Sequence, residues 1–506
     1  MSFRRRILPY AALFLAPLTA LPAQEPTIAP TSNYHASLSN VQVADLNSDN
    51  APEIIGLESS SSAVGVLKNL GNGKYGAPTY YAVSGQLNDL AVGDFNGDGK
   101  LDVAVAIGAY NAVNGRVAIL LGNGDGTLQM PIYHTVAIPA NSIAVGDFNN
   151  DNKPDIAVIG NTNNNGTNTV SILTNTGSSF TEHSFTAPTY FTANGFGADA
   201  DFVQYLVAGD FNGDGRIDLA YVDSCAQCDP SSELLYILAN TTSGWQAKQP
   251  LGGSGSLSVK AADIDGDGIT DLIIPFIGCH TPCLGVAVAY MKKDFTVAST
   301  QSLDVLDDEN GPVPQQVVVG DFNNDGITDI AGFSLGGEDQ NFNQLPPGIM
   351  MWTGKGNRSF NKLKYYDQPN PSSQSVPLFT AAGFLNKDGT RDLVVPYGTD
   401  TQVWTNSTVN PADPCAYPTA GGIHVCAPLA KVASGTVHFL ASARTNTQPL
   451  NRIELWLDGQ KKAQVFTDRL NIDLPVANGK HSVGFVEVGA SGLVIKKAVT
   501  FTVGGK

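Results

Sequence analysis

Short apolar runs and short acidic loops alternate along most of this chain. Leu90-Ala91-Val92-Gly93 leads into one such loop and Leu101 to Ile107 leaves it. Val117 to Leu121 forms a third run before a Gly-Asn-Gly turn, and a weaker fourth segment spans Gln129 to Ala137. Runs of this length, bounded by Gly, Asn and Asp, read as strands. No stretch carries a helical period of convincing length, which excludes solenoids of helix pairs.

The four-segment unit recurs. GDFNGDGKLDVAVA from Gly93 has relatives in ADLNSDNAPEIIG from Ala44, GDFNNDNKPDIAVI from Gly146, GDFNGDGRIDLAYV from Gly209, ADIDGDGITDLIIP from Ala262, GDFNNDGITDIAGF from Gly320 and GFLNKDGTRDLVVP from Gly383. The first loop positions are Asp45, Asp94, Asp147, Asp210, Asp263, Asp321 and Phe384, spaced 49, 53, 63, 53, 58 and 63 residues apart. One supersecondary unit per repeat, with four short strands in each, predicts an all-β chain built as a seven-bladed β-propeller over residues 28–409. The last repeat runs out after Leu393 to Pro396 and Gln402 to Trp404. The segment Ala29-Pro30-Thr31-Ser32-Asn33-Tyr34 resembles Ala77-Pro78-Thr79-Tyr80-Tyr81, so residues 28–37 are expected to supply the missing outer strand and remove an exposed edge.

After the Pro-rich link Asn410-Pro411-Ala412-Asp413-Pro414, within a linker at 410–424, the repeat stops. Strands are expected at Val437 to Ser442, Ile453 to Leu457, Lys462 to Phe466, Leu470 to Leu474, Ser482 to Val488 and Val494 to Val503, with turns at Asp458-Gly459 and Asn478-Gly479. Residues 425–506 read as a small β-sandwich of immunoglobulin-like type.

The acidic loops carry the candidate chemistry. Oxygen ligands at alternate positions of a tight loop, followed by Gly and a further carboxylate, can wrap Ca2+, which takes 6 to 8 oxygens. The sets are Asp45, Asn47, Asp49 and Glu53; Asp94, Asn96, Asp98 and Asp102; Asp147, Asn149, Asp151 and Asp155; Asp210, Asn212, Asp214 and Asp218; Asp263, Asp265, Asp267 and Asp271; and Asp321, Asn323, Asp325 and Asp329. Glu53 is a longer last ligand, and Asn152 stands where other copies have Gly and must take the tight turn itself. Phe384 replaces the first ligand of the seventh copy, which is expected to hold no ion, so about five or six Ca2+ are expected per chain. The loops gather 21 of the chain's 46 carboxylates, which would repel one another without a cation. Asp, Asn and Gly are also ordinary turn formers, and a single copy would be read that way.

The net charge of −17, with 29 Lys and Arg against 46 Asp and Glu, argues against nucleic-acid binding. Residues 1–23, with Arg4, Arg5 and Arg6 before an apolar stretch, read as a signal peptide and place the chain outside the cytoplasm, secreted or periplasmic. An N-terminal membrane anchor is the competing reading. The cysteines fall in the pairs Cys225 and Cys228, Cys279 and Cys283, and Cys415 and Cys426, which suits local disulfides. A zinc site or a redox CxxC is the alternative for the first two pairs.

The motif DFNGDGxxD, with flanking Leu-Gly-Asn-Gly-Asp-Gly and Tyr-Gly-Ala-Pro, resembles the FG-GAP and VCBS repeats of integrin α-subunit propellers and of many secreted bacterial proteins. The resemblance covers roughly residues 28–409 and implies calcium in the loops between first and second strands. The C-terminal segment resembles bacterial Ig-like modules more loosely.

With strands alternating in direction, the longer loops fall on the face opposite the acidic ones: Ile107 to Arg116, Gly160 to Thr169, Asp223 to Leu234, Gly278 to Leu284, Ser334 to Gly348, Tyr190 to Gln204, Asp304 to Gln315 and Tyr365 to Pro377. Tyr190, Phe191, Phe196, Phe202, Phe342, Tyr365 and Tyr366 offer stacking surface there, beside Asp199, Asp201, Asp307, Asp308, Glu309, Glu338 and Asp339. This pattern points to extracellular binding or adhesion with a carbohydrate or protein ligand on that face. The alternatives are a polysaccharide-active lyase or glycosidase, with His280 the first suspect, and a structural envelope or matrix component. No HExxH, GxSxG or phosphate-loop motif is present, so no catalytic residue is assigned.

Overall fold

A computed structural model describes residues 25–504 apart from short stretches, the longest being 187–201, 226–233, 304–313, 369–379 and 409–421. Among the described residues there is no helix. Seven antiparallel sheets follow one plan of four strands, in sequence order in the first six, and the first is Ser39–Ala44, Glu53–Glu58, Ala63–Leu67 and Thr79–Ala82. The second is Leu87–Gly93, Asp102–Ile107, Gly115–Leu120 and Ile132–Val136. The fourth adds a two-residue strand, Leu251–Gly252. In the seventh, Ala381–Gly383, Asp392–Tyr397 and Asp400–Asn406 are completed by Ile28–Tyr34, with Ala29 opposite Thr405 and Asn33 opposite Gln402.

Burial explains why each strand has the composition it does. Second strands such as Asp102–Ile107 are buried throughout and read as unbroken apolar runs. Fourth strands such as Thr79–Ala82 are largely exposed and polar, so apolar character falls from the second strand to the outer edge. The first strands of consecutive sheets touch in a closed cycle that returns from the seventh sheet to the first. Seven apolar clusters fill the spaces between neighbouring sheets. Leu90, Val103 and Val105 pack with Ile55 and Val64 between sheets one and two, while Val403 and Val394 pack with Ile54 and Val41 between sheets seven and one.

Asparagines at the ends of third strands tie neighbours together. Asn175 donates to the Phe95 carbonyl (2.9 Å), Asn240 to Phe148 (2.6 Å) and Asn406 to Phe322 (2.6 Å), each reaching the acidic loop of the preceding sheet. Asn69 does the same across the chain ends, donating to Leu385 of the seventh loop at 2.9 Å.

The C-terminal part is a second kind of unit. A three-stranded sheet (Gly422–Ala427, Gly435–Arg444, Arg469–Val476) and a five-stranded sheet (Lys431–Val432, Val494–Val503, Gly479–Gly489, Leu450–Leu457, Gln460–Val465) share one core built on Phe439, Phe485, Phe501, Ile453 and Leu455. Gly422–Ala427 begins inside the stretch expected to be linker. It is short and carries His424 and Cys426 between apolar positions, so its alternation is too brief to stand out in the sequence. Cys426 is disulfide-bonded; Cys228, Cys279, Cys283 and Cys415 lie outside the described residues, as does the side chain of Cys225.

Candidate metal centres

All seven acidic loops leave the first strand and enter the second in one register. Ala44 stands opposite Glu53, Gly93 opposite Asp102, Gly146 opposite Asp155, Gly209 opposite Asp218, Ala262 opposite Asp271, Gly320 opposite Asp329 and Gly383 opposite Asp392. The fourth loop position is left-handed in six of them, with φ of 60° at Ser48, 74° at Gly97, 60° at Asn150, 70° at Gly213, 77° at Gly266 and 58° at Asn324. Asn152, in the place of Gly, adopts φ 65°, a conformation Asn tolerates better than other side chains.

The first and third ligand positions organise the turn. Asp94 Oδ1 accepts from the amides of Gly97 (2.7 Å) and Asp98 (3.1 Å), and its Oδ2 from Gly99 (2.8 Å). Asp45 accepts from Asp49, Asp147 from Asp151, Asp210 from Asp214, Asp263 from Gly266, and Asp321 from Asp325. Asn47, Asn96, Asn149, Asn212, Asp265 and Asn323 each accept from the amide two residues on. The side chains are therefore turned inward before any ion is considered.

The last carboxylate is different. Asp102, Asp155, Asp218 and Asp329 have no exposed surface, and neither has Glu53. One oxygen of Asp102 accepts from Phe95 N (2.9 Å) and the other from Gly122 N at the end of the third strand (2.8 Å). Asp155, Asp218, Asp271 and Asp329 repeat the arrangement, and so does Asp392 in the seventh loop, where Phe384 occupies the first position. This residue staples three strands whether or not a cation is near. Burial pushes its carboxyl up, to about 7 in Asp102 and Glu53, about 6 in Asp155 and about 8 in Asp218. The backbone donors oppose that rise, and neighbouring loop carboxylates add to it. Carboxylate and amide oxygens gathered in one tight loop around a buried carboxylate are a donor set suited to a hard divalent cation. In the fifth loop, ligand oxygens of Asp263, Asp265 and Asp267 all lie within 4.8 Å of one another. The residues present thus fit Ca2+ in loops one to six, while the seventh keeps only Asn386, Asp388 and Asp392.

Two loops carry basic or amide groups brought from elsewhere. The Arg358 guanidinium, from the hairpin of the sixth sheet, pairs with Asp265 and with Asp267 (3.4 Å) and lies 4.9 Å over the Tyr290 ring. Asp210, in the fourth loop, accepts from the side-chain amide of Gln464 in the C-terminal unit.

At the centre of the ring lies an open-mouthed cavity of about 230 Å³, lined by the first strands of six sheets, by residues beside them and by Thr380, just before the first strand of the seventh. The residues five before the first ligands of loops one to six, Asn40, Asp89, Ser142, Tyr205, Ser258 and Gln316, form a polar band at the end away from the acidic loops, and exposed Lys260 and Gln42 line the cavity with them. Asp89 joins three sheets by accepting from Asn40 Nδ2 (3.3 Å), Ser142 Oγ (2.8 Å) and Ile143 N (3.1 Å). Desolvation by the surrounding strands raises the Asp89 carboxyl and lowers the Lys260 ammonium, the latter opposed by Asp89 itself. Sequence reading missed this band, although its signal was present as polar residues at a fixed distance before each loop.

Of the aromatics expected on the face opposite the loops, Tyr365 and Tyr366 are half-buried. Their hydroxyls donate to the carbonyls of Pro346 (2.7 Å) and Pro26. They pack between strands and offer no open stacking surface. Tyr190, Phe191, Phe196 and Phe342, the side chain of Phe202, Asp199, Asp201, Asp307, Asp308, Glu309, Asp339 and His280 lie outside the described residues.

These features define an all-β, propeller-like protein of repeated four-stranded sheets with acidic inter-strand loops. Residues 45–105, 94–158, 147–221 and 210–274 match the FG-GAP-like repeat. No curated protein sequence matches the chain. Among solved structures, it is similar to BBS1N in complex with ARL6DN (10% identity, 76% of this chain and 98% of that one, TM-score 0.45). It is also similar to the Dos1 propeller (12% identity, 75% and 95%, TM-score 0.38). A third similar structure is the extracellular domain of the putative hybrid two-component system BT4673 from B. thetaiotaomicron (9% identity, 95% and 59%, TM-score 0.36). Among the described residues no helix is long and apolar enough to cross a membrane.

Proposed function

We propose that this chain is a secreted, calcium-stabilised seven-bladed propeller followed by an Ig-like module, acting as an extracellular binding or adhesion unit for a carbohydrate or protein ligand. The observation that carries the calcium reading is the inward-turned oxygen set shared by loops one to six, with ligand oxygens of Asp263, Asp265 and Asp267 within 4.8 Å of one another in the fifth. Residues at the first, third, fifth and ninth positions would hold the ion, and its charge would favour the ionised form of the buried ninth-position carboxylate. Export is supported by the N-terminal signal pattern and by the disulfide at Cys426. A cysteine pair at 415 and 426 belongs to the same proposal. The binding reading is supported by the FG-GAP-like repeats and by the polar-mouthed cavity on the side away from the acidic loops.

The test combines metal content by mass spectrometry with a glycan and protein array, run on calcium-loaded and chelated chain. Several Ca2+ per chain and array binding that survives mutation of the acidic loops would support a scaffold with its ligand elsewhere. Absence of calcium would leave the loops as turns only, and turnover of an arrayed glycan would move the protein to the polysaccharide-active class.

A further inference from the structure

The C-terminal unit presents the edge strand Gln460–Val465 to the fourth and fifth acidic loops. Unpaired edges are hazards that folds cover, and here the cover is the ring. Gln464, 3% exposed, donates its side-chain amide to Asp210, which is 1% exposed. Lys461 sits so that a Cβ built on Gly215 would lie 3.6 Å from its ammonium, and Ala463 Cα lies 3.8 Å from one built on Gly268. Both glycines are left-handed (φ 88° and 85°), and the strand lies in ordinary van der Waals reach of them. The Lys461 ammonium is held by Glu454 (3.1 Å) and by Gln464 Oε1, and Glu454 also accepts from Trp456 Nε1 (2.8 Å). Its charge acts on Asp210, opposing the rise that burial imposes on that carboxyl.

We propose that the C-terminal unit docks on the fourth acidic loop through Gln464 and Lys461, and that a divalent cation entering that loop competes with docking. The ammonium and the amide N–H supply to Asp210 the positive partner that a cation supplies in an open loop. A dication and Lys461 repel when both face the same carboxylate. The proposal rests on the calcium reading above. It adds that one site is linked to the placement of the neighbouring unit, by the same mass action that links any ligand to the state it prefers.

Zero-length carbodiimide crosslinking of the full chain, mapped by mass spectrometry, tests this. Without divalent ions, Lys461 should crosslink to Asp210 or Asp214. With a loop affinity on the order of 10⁻³ M, 10 mM Ca2+ should lower that crosslink roughly ten-fold. The Lys461–Glu454 crosslink within the unit should persist. Asp210→Asn, which keeps an oxygen for Gln464 but removes a negative charge from the cation site, should make the Lys461–Asp214 crosslink insensitive to calcium. No Lys461 crosslink to the loop in chelator would overturn the docking. A crosslink that holds its level while metal analysis shows calcium bound in wild type, and one ion fewer in Asp210→Asn, would overturn the competition. A steady crosslink in a chain that binds no calcium would sink the calcium reading and the competition together, and so separates that failure from a failure of docking.

Discussion

The ring and the C-terminal unit reach stability by different routes. The C-terminal unit has one core, in which Phe439, Phe485 and Phe501 meet between two sheets. The ring has seven clusters, each needing two neighbouring sheets, and acidic loops such as the fifth, where Asp263, Asp265 and Asp267 gather. A single core responds as a whole to a change anywhere in it. A divided one depends on closure and on what neutralises its loops. The comparison teaches that two all-β units in one chain should answer differently to metal, charge and pH.

Removing divalent ions should widen that difference most. Each loop filled to ten times its dissociation constant contributes about 1.4 kcal/mol, so six loops together contribute about 8 kcal/mol. Calorimetry should show the ring's transition falling with chelator and the C-terminal transition holding. Equal shifts in both transitions would break the contrast.

The ninth-position carboxylates divide structure from metal binding. Asp392→Ala in the seventh loop strands the amides of Leu385 and Asn406 in a buried place. It should cost the ring about 3 kcal/mol with or without calcium. Asp329→Ala in the sixth loop should cost a similar amount in chelator and more in calcium. If both variants respond alike to calcium, the seventh loop binds an ion and its Phe384 was misjudged.

The C-terminal unit has its own electrostatic weakness. Glu487 is buried with Oε2 unpartnered, and burial pushes its carboxyl from 4.5 up to about 7. A carboxyl whose pKa is raised by folding contributes stability that is present below about 4.5 and is lost as pH rises through about 7. At roughly 1.4 kcal/mol per unit of pKa, the loss is on the order of 3–4 kcal/mol. The C-terminal transition should therefore drop between pH 5 and 8, and Glu487→Gln should flatten that drop. A pH profile unchanged by the substitution would locate the titration elsewhere.

The smallest expected effect sharpens the role of closure. Asn69→Ala removes the donor to Leu385 that joins first and last sheets, at a cost of about 1–2 kcal/mol. Asn240→Ala removes an equivalent bond inside the ring. A larger urea-midpoint shift for Asn69→Ala than for Asn240→Ala would mark the seam between chain ends as the weakest joint.

Much of this was legible before any coordinates. Second strands such as Asp102–Ile107 announce themselves because burial on both faces demands an unbroken apolar run, and the acidic loops because alternate oxygen donors, Gly and a fixed last carboxylate recur. The similarity of Ala29-Pro30-Thr31 to Ala77-Pro78-Thr79 is one of position, since both strings stand at outer strands. What could not be read was which job each acid performs. Asp94 and Asp102 look alike in a motif, yet one turns the loop and the other staples two further backbones.

Local chemistry repeats along the chain, so the sequence alone determined most of the ring's strands, their number per repeat and the places of the acidic loops. The tertiary structure decided everything that depends on residues far apart in sequence becoming neighbours. It brought Asn69 to Leu385, gathered Asn40, Asp89 and Ser142 around one cavity, and set Arg358 on Asp265 and Gln464 on Asp210. Hydrogen bonds and ion pairs act over a few ångströms, and only the closed ring and the edge strand lying against it fix which groups come that close.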